Sequence, residues 1–194
     1  MKVLIDTNAL IKLLDPRIPV DISARLKGLL EDIDRANGQL IIPVQVVGEY
    51  TSGADQAGQE VLAKLLSNRR IKVANFDHVA AVECAMMDKV AFSSGGHKRA
   101  PLTRDISWQK VKVDRQIVAI ARVLKADRII STDGDIPKIA KAVGMPCISV
   151  EDLPLPAWAV QVHIDEILST PDIPIQSNAQ QLKPAAKNQP STSK

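Results

Sequence analysis

Five short segments rich in valine and isoleucine alternate with longer stretches of helical pattern along this chain. In the first long helical stretch, apolar residues such as Ile22, Leu26 and Leu29 recur at the 3.6-residue period. Alternating β and α segments predict an α/β fold with a mainly parallel sheet covered by helices on both faces. The predicted strands are Val3–Ile5, Leu40–Ile42, Ile71–Ala74, Arg128–Ser131 and Cys147–Val150.

The length and composition predict one domain. The 194 residues, 45% of them hydrophobic, suffice for one well-buried core but not for two ordinary domains. We expect this domain over residues 1–152 and an extension with a helical pattern over residues 153–169. Residues 170–194 are rich in Pro, Gln, Ser and Lys and lack aromatic residues, which predicts a disordered tail. With no membrane-length apolar run and no basic leader, a soluble, cytoplasmic protein without a membrane partner is expected.

Positive charge is concentrated in two parts of the chain, although the net charge is only +3. The segment from Ser93 to Lys112 has five Lys or Arg residues and one acidic residue, and the tail has three lysines and one acidic residue. The rest of the chain is therefore acidic, and this arrangement fits an anionic polymer as partner. Turn residues followed by charge between Ser93 and Pro101 predict an exposed loop between two helices.

Four acidic residues stand against apolar backgrounds where strands or helices begin or end. Asp6 and Asp133 each follow an isoleucine-rich predicted strand, and the carboxyl ends of parallel strands lie at one edge of the sheet. Glu49 borders the apolar face of a predicted helix. Asp114 opens another helix, from which its carboxylate can point back to the same edge. We therefore expect the four carboxylates to converge.

Converging carboxylates favour a bound cation. Two unit charges about 4 Å apart repel by roughly 4 kcal/mol at an effective dielectric constant of 20, and a divalent cation reverses the sign of this energy. Oxygen ligands favour Mg²⁺ or Mn²⁺ over Zn²⁺. Cys84 and Cys147 lack the spacing of a zinc site, and we expect them to be reduced core thiols. Water on such a cation, next to a phosphodiester, is a hydrolytic nucleophile.

Each acidic residue also has a purely structural interpretation. Asp6 and Asp114 suit helix N-caps. Glu49 suits a partly exposed helix position, and Asp133 suits an ordinary turn. Asp135 either supports the metal ligands or caps the helix that follows it, and the cap is slightly favoured. Four nearby polar residues bind either carboxylates and metal-bound water or the backbone of the turns: Thr7, Asn8, Ser131 and Thr132.

The sequence resembles the PIN-domain nuclease family in four segments that occur in the family's order. They are V-L-I-D-T-N-A-L, V-V-G-E-Y, V-D-R-Q-I-V-A-I-A and I-I-S-T-D-G-D-I, and the resemblance covers the chain from about Met1 to Asp152. The resemblance implies a Rossmann-like three-layer α/β/α sandwich and hydrolysis of single-stranded RNA. It implies Mg²⁺ or Mn²⁺ as cofactor, held by Asp6, Glu49, Asp114 and Asp133; Asp135 is kept as a further metal candidate.

Many proteins of this kind are toxins of bacterial toxin–antitoxin pairs, and others process RNA without an antitoxin. The basic segment and the tail are additions to the compact toxin pattern, so an antitoxin partner and a homodimer both stay open. The segment offers Trp108 for base stacking and six residues for phosphate contact, or it is a solvated loop with Trp108 docked on the domain. The six are His97, Lys98, Arg99, Arg104, Lys110 and Lys112.

Two other functions compete with a metal-dependent endoribonuclease. A haloacid-dehalogenase-like phosphatase would use Asp6 as its nucleophile, but it needs a second Asp two residues later, where this chain has Asn8. A non-catalytic RNA- or protein-binding module facing phosphates would gain from losing the four acids. The endoribonuclease is therefore the main prediction.

Overall fold

The centre of the fold is a five-stranded sheet. The computed structural model describes residues 1–160, so the end of the predicted extension and the whole predicted tail lie outside the described residues. The strand order is β3-β2-β1-β4-β5, and all neighbouring strands are parallel. The five predicted strands are confirmed: β1 Lys2–Ile5, β2 Gln39–Pro43, β3 Ile71–Ala74, β4 Arg128–Ile130 and β5 Cys147–Ile148.

The helices form two packed groups. The first group is α1 (Thr7–Leu14), α2 (Val20–Arg35), α3 (Val44–Gly53) and α4 (Gln56–Leu66), and α1 packs against the other three. The second group is α5 (His78–Gly95), α6 (Trp108–Val123) and α7 (Ile136–Ala142), and α6 packs against the other two. Right-handed crossovers place the two groups on opposite faces of the sheet. The predicted α/β/α sandwich is therefore confirmed. None of the helices within residues 1–160 is long and apolar enough to cross a lipid bilayer.

The inner strands are apolar on both faces. Leu4, Ile41 and Ile129 are completely buried, and so are the apolar residues next to them in each strand. Continuous apolar runs of this kind are what a parallel sheet requires when helices cover both of its faces. The burial leaves few polar groups inside the domain, and those few include Asp6, Asp114 and Ser131.

The structure corrects two predictions about the helices that flank the basic segment. Helix α5 continues to Gly95 and ends at Gly96, whose φ of 70° favours glycine. Ser93 therefore belongs to a helix, and the predicted loop is wrong in its first residues. Helix α6 begins at Trp108, so Asp114 lies in its second turn and does not open it. The connecting residues 96–107 are also not fully exposed, because Leu102 is buried.

Candidate active site

The site lies where the direction of the strand order changes. From β1 the chain proceeds outward to β2 and β3 on one side, and it then returns to β4 and β5 on the other. Strands β1 and β4 are neighbours, and the Asp6 N–H donates to the Ile130 carbonyl at 3.1 Å. Crevices form at such switch points, at the carboxyl ends of the strands. Asp6 and Asp133 follow the two strands that border this crevice.

A pocket of about 460 Å³ occupies the crevice, and all four predicted carboxylates line it. Two of these carboxylates follow strands and two lie on helices, so the fold brings together residues that are far apart in sequence. Thr7 and Asn8 also line the pocket, together with Lys110 and two glutamines that the sequence did not point to, Gln45 and Gln109. Gln45 is four residues before Glu49, and this spacing places both side chains on one helix face. The spacing was the clue in the sequence that could have predicted Gln45 at the pocket.

Two hydrogen bonds hold Asp6, one from α1 and one from the residue that follows β4. Its Oδ1 accepts the Ala9 N–H at 2.8 Å, so it caps α1, and its Oδ2 accepts the Ser131 hydroxyl. Burial raises the pKa of the Asp6 carboxyl, and the two hydrogen bonds oppose part of this rise. Asp6 is therefore both the N-cap of α1 and one of the carboxylates that line the pocket.

Glu49 lies beside Asp6 at the exposed side of the pocket. The Thr7 hydroxyl donates to Glu49 Oε2 at 2.6 Å, which fixes the carboxylate against α1. Thr7 and Ser131, two of the four supporting residues, thus bind carboxylates directly. Asn8 is exposed at the pocket wall, and the Thr132 side chain makes no hydrogen bond within residues 1–160.

Asp114 is the least satisfied of the carboxylates. It is buried on α6, and its Oδ2 has no hydrogen-bond partner within the described part of the chain. Burial, followed by the nearby charge of Asp133, raises the pKa of Asp114 to about 7. A buried charge without a partner is costly. The arrangement therefore favours either protonation of Asp114 or a cation next to it.

Lys110 forms ion pairs with Asp133 and Asp135 on the wall next to β4. Its Nζ lies 3.2 Å from Asp133 Oδ2 and also contacts Asp135 Oδ2. Asp135 stands at the N-cap position of α7 but makes no capping hydrogen bond, because its carboxylate binds Lys110 and Lys138 instead. Asp135 therefore occupies the predicted N-cap position, but its side chain does not supply the capping hydrogen bond. Hydrogen bonding to Lys110 is the main cause that lowers the pKa of Asp135.

The donor set fits a divalent cation. One carboxylate oxygen from each of Asp114, Asp133 and Asp135 lies within 4.8 Å of the other two. All three donors are oxygens, as hard cations require, and the Asp114 Oδ2 atom has no hydrogen-bond partner within residues 1–160. Asp6 and Glu49 line the same pocket but stand outside this trio.

Comparison with known proteins identifies the fold family. The sequence model of the PIN domain matches residues 3–142. The chain belongs to the PIN domain family. Membership supports a nuclease, and nucleases of this family use divalent metal ions. No curated protein sequence matches the chain.

Three bacterial structures are among those similar to this PIN domain. A chain of the promoter-bound VapBC2 complex from Rickettsia felis is 15% identical, with a TM-score of 0.54, and the alignment covers 77% of this chain and 98% of that one. A chain of DNA-bound VapBC from Salmonella typhimurium is 16% identical, with a TM-score of 0.49, and the alignment covers 77% of this chain and 98% of that one. VapC20 from Mycobacterium tuberculosis, a Sarcin-Ricin loop cleaving toxin, is 17% identical, with a TM-score of 0.44. The alignment covers 74% of this chain and 95% of that one. At this level of identity the likeness concerns the fold alone.

The basic segment of this PIN domain is attached to α6 through Trp108. Lys98 Nζ lies 4.6 Å from the centre of the indole ring, and the Arg115 guanidinium lies 5.7 Å from it. Arg115 is buried, where it binds Asp88 and the Ala100 carbonyl, so one cation of the pair is fixed. Cations over an indole ring are attracted by its π face.

The other predicted RNA-binding residues are distributed between surface and interior. Arg104 and Lys112 are exposed, whereas His97 and Arg99 are half-buried. The His97 Nδ1 and Arg99 Nε atoms are buried and have no hydrogen-bond partner within residues 1–160. Lys110, the remaining member, points into the carboxylate pocket.

Proposed function

We propose that this PIN domain is a Mg²⁺- or Mn²⁺-dependent endoribonuclease that hydrolyses phosphodiester bonds of single-stranded RNA. The observation that carries the proposal is the buried, unpartnered oxygen of Asp114, which lies beside two further carboxylates in a pocket open to solvent. Such a cluster is costly as an isolated anionic site and favourable once a divalent cation occupies it.

The carboxylates have distinct proposed roles. Asp114, Asp133 and Asp135 would hold the cation, with Asp6 and Glu49 on the opposite wall completing its surroundings. The bound cation supplies an activated water and stabilises charge on the phosphoryl oxygens. Ser131 and Thr7 orient Asp6 and Glu49, because each donates a hydroxyl hydrogen bond to one of them.

The basic segment would supply substrate affinity. Lys98, Arg99, Arg104 and Lys112 lie on or next to the residues that connect α5 with α6. Contacts from these side chains to phosphates would add affinity that falls with salt concentration. A Lys98, Arg99, Arg104→Glu triple variant is expected to bind RNA more weakly with a flatter salt dependence. Unchanged affinity and salt slope would remove the segment from the proposal.

A toxin of a toxin–antitoxin pair is the proposed biological class. A groove of about 650 Å³ adjoins the carboxylate pocket and shares Thr7, Asn8 and Glu49 with it. Ile11 and Val61 line the groove and are 43% and 45% exposed, so a protein partner would cover apolar surface there. The similar Rickettsia felis VapBC2 is itself a complex. Induction should arrest growth, and co-expression of an adjacent reading frame should relieve the arrest. A homodimer is a separate proposal, tested by molar mass in solution.

The decisive experiment is RNA cleavage with and without metal. Wild-type protein should cleave single-stranded RNA with Mg²⁺ or Mn²⁺ and lose this activity in EDTA, and Asp6→Asn should be inactive. Glu60→Gln is the matched control, because it removes an exposed carboxylate of α4 that lines neither the pocket nor the groove. Metal-dependent RNA binding without cleavage would favour the binding module. Metal-dependent release of phosphate from small phosphomonoesters would favour the phosphatase.

The domain boundary is also a proposal. The carboxylate site lies entirely within residues 6–135, and the family match ends at residue 142. Deletion of residues 171–194 should therefore preserve folding and the cleavage of short RNA. Unfolding or loss of cleavage at saturating RNA would show that the domain extends further.

A further inference from the structure

Lys110 is the internal cation of the acidic trio. Its ammonium contacts Asp133 and Asp135, while the Asp114 Oδ2 atom has no partner within residues 1–160. Lys110 precedes Asp114 by four residues, so α6 presents the ammonium and the carboxylate on one face. Asp133 and Asp135 therefore share the Lys110 ammonium, and Asp135 also contacts Lys138. Within the described residues, Asp114 Oδ2 contacts neither ammonium.

A divalent cation and this ammonium need the same carboxylates. The cation fits the trio through one oxygen of each member, and two of those members already bind Lys110. Like charges in contact with the same carboxylates repel strongly, so both cannot be held at once. Lysine is a point charge on a flexible stem, and the Lys110 side chain is 43% exposed. It can therefore leave for solvent without disturbing the core.

We propose that Lys110 holds the trio together in the metal-free state, that the incoming divalent cation displaces it, and that the displaced ammonium then contacts a phosphate of the bound nucleic acid. This inference rests on the proposed metal site. It assigns Lys110 a positioning role at the pocket and two measurable effects. Lys110 lowers metal affinity in the absence of substrate, and it makes metal and nucleic acid bind cooperatively.

The cooperativity follows from linkage. Metal binding releases the ammonium and makes it available to a phosphate, so nucleic acid binds more tightly to the metal-loaded protein. By reciprocity, nucleic acid that engages the ammonium removes a competitor of the metal and strengthens metal binding by the same factor. The site would then load its metal most readily when substrate is present.

Mn²⁺ affinity of the full chain tests the first effect. Free Mn²⁺ is measured by electron paramagnetic resonance during titration of wild type, Lys110→Met and Lys112→Met. Lys112 matches the change in charge, since it is exposed, on the same helix, and forms no ion pair within the described residues. Lys110→Met should bind Mn²⁺ about tenfold more tightly than wild type, and Lys112→Met less than about twofold.

Thermal unfolding separates this role from a merely structural one. Without metal, Lys110→Met should have a lower melting temperature than wild type, because Asp133 and Asp135 lose their ion pairs with Lys110. Saturating Mn²⁺ should remove the difference. A melting temperature lowered equally with and without Mn²⁺ would indicate a structural role and overturn the inference.

Cooperativity is measured with a non-cleavable single-stranded 2′-O-methyl RNA. In wild type, Mn²⁺ should strengthen its binding by a factor roughly fivefold larger than in Lys110→Met. Equal factors, or equal Mn²⁺ affinity of the two lysine variants, would overturn the inference and leave the metal site intact. Absence of Mn²⁺ binding in wild type and in both variants would overturn the proposed function, and the inference with it.

Discussion

On the wall of the pocket next to β1, hydroxyl groups hold the acids, whereas on the wall next to β4 an ammonium holds them. Ser131 donates to Asp6 and Thr7 donates to Glu49, and neither donor carries charge. Opposite them, Lys110 binds its two aspartates as a cation. Hydroxyl donors can remain in place when a metal ion arrives, but an ammonium competes with it. The first wall is therefore preformed, and the second must rearrange.

Substitution of Asp114 should change activity most. Asp114 belongs neither to the acids held by hydroxyl groups nor to those held by Lys110. Asp114→Asn should reduce RNA cleavage by a factor on the order of 10²–10³ and abolish the rise in melting temperature on addition of Mn²⁺. The metal-free variant should nevertheless be more stable than wild type at pH 8, because the substitution removes a buried charge. Cleavage assays and calorimetry test whether activity falls while the stability of the metal-free protein rises. Cleavage at the wild-type level would place the site elsewhere.

Ser131 connects the two walls, and its removal is expected to have the next largest effect. Its hydroxyl donates to Asp6 and accepts the Asp133 N–H at 3.0 Å. Ser131→Ala should slow cleavage roughly 10–100-fold and cost about 1–3 kcal/mol of unfolding free energy. Ser67→Ala, at an exposed helix end, is the control. Lower stability with full activity would confine Ser131 to a structural role.

The pH dependence of stability tests whether Asp114 lacks a partner in the metal-free protein, and it needs no activity assay. The pKa of Asp114 is raised from 3.8 to about 7, so the folded protein binds this proton more tightly than the unfolded chain. The free energy of unfolding of the metal-free protein should therefore fall as pH rises from about 4 to 7. After allowance for solvent screening, the contribution is about 1–2 kcal/mol.

Urea denaturation in EDTA at pH 5 and pH 8 measures this contribution. The difference between the two pH values should be smaller in Asp114→Asn than in wild type, and excess Mn²⁺ should offset it in wild type. An identical pH dependence in the two proteins would mean that Asp114 is compensated in the metal-free state.

The smallest effect is expected at the first wall. Thr7→Val keeps the side-chain volume and removes the hydrogen bond to Glu49, which is exposed. Stability should change by less than about 1 kcal/mol, and cleavage should fall by less than about tenfold. A loss as large as that of Ser131→Ala would show that Glu49 binds the metal as directly as the trio does.

Predictions from the sequence succeeded where a local rule decides the outcome. Asp6 and Asp133 were expected at the pocket because parallel strands end at a common edge, and that argument needs only the strands. The prediction for Asp135 was right about its position at the N-cap but not about its side chain, because Lys110, 25 residues earlier, binds the carboxylate. The position of Lys110 depends on how α6 lies against β4, and no local pattern encodes that contact.

Two cations lie over the Trp108 ring, and only one of them is free to move. Arg115 is buried, whereas Lys98 is exposed, so a phosphate that draws Lys98 away changes the polarity around the indole. The chain has two tryptophans, and Trp158 is exposed enough to be replaced by Phe. The remaining indole is then an intrinsic fluorophore at the basic segment, and its emission spectrum reports nucleic-acid arrival independently of catalysis.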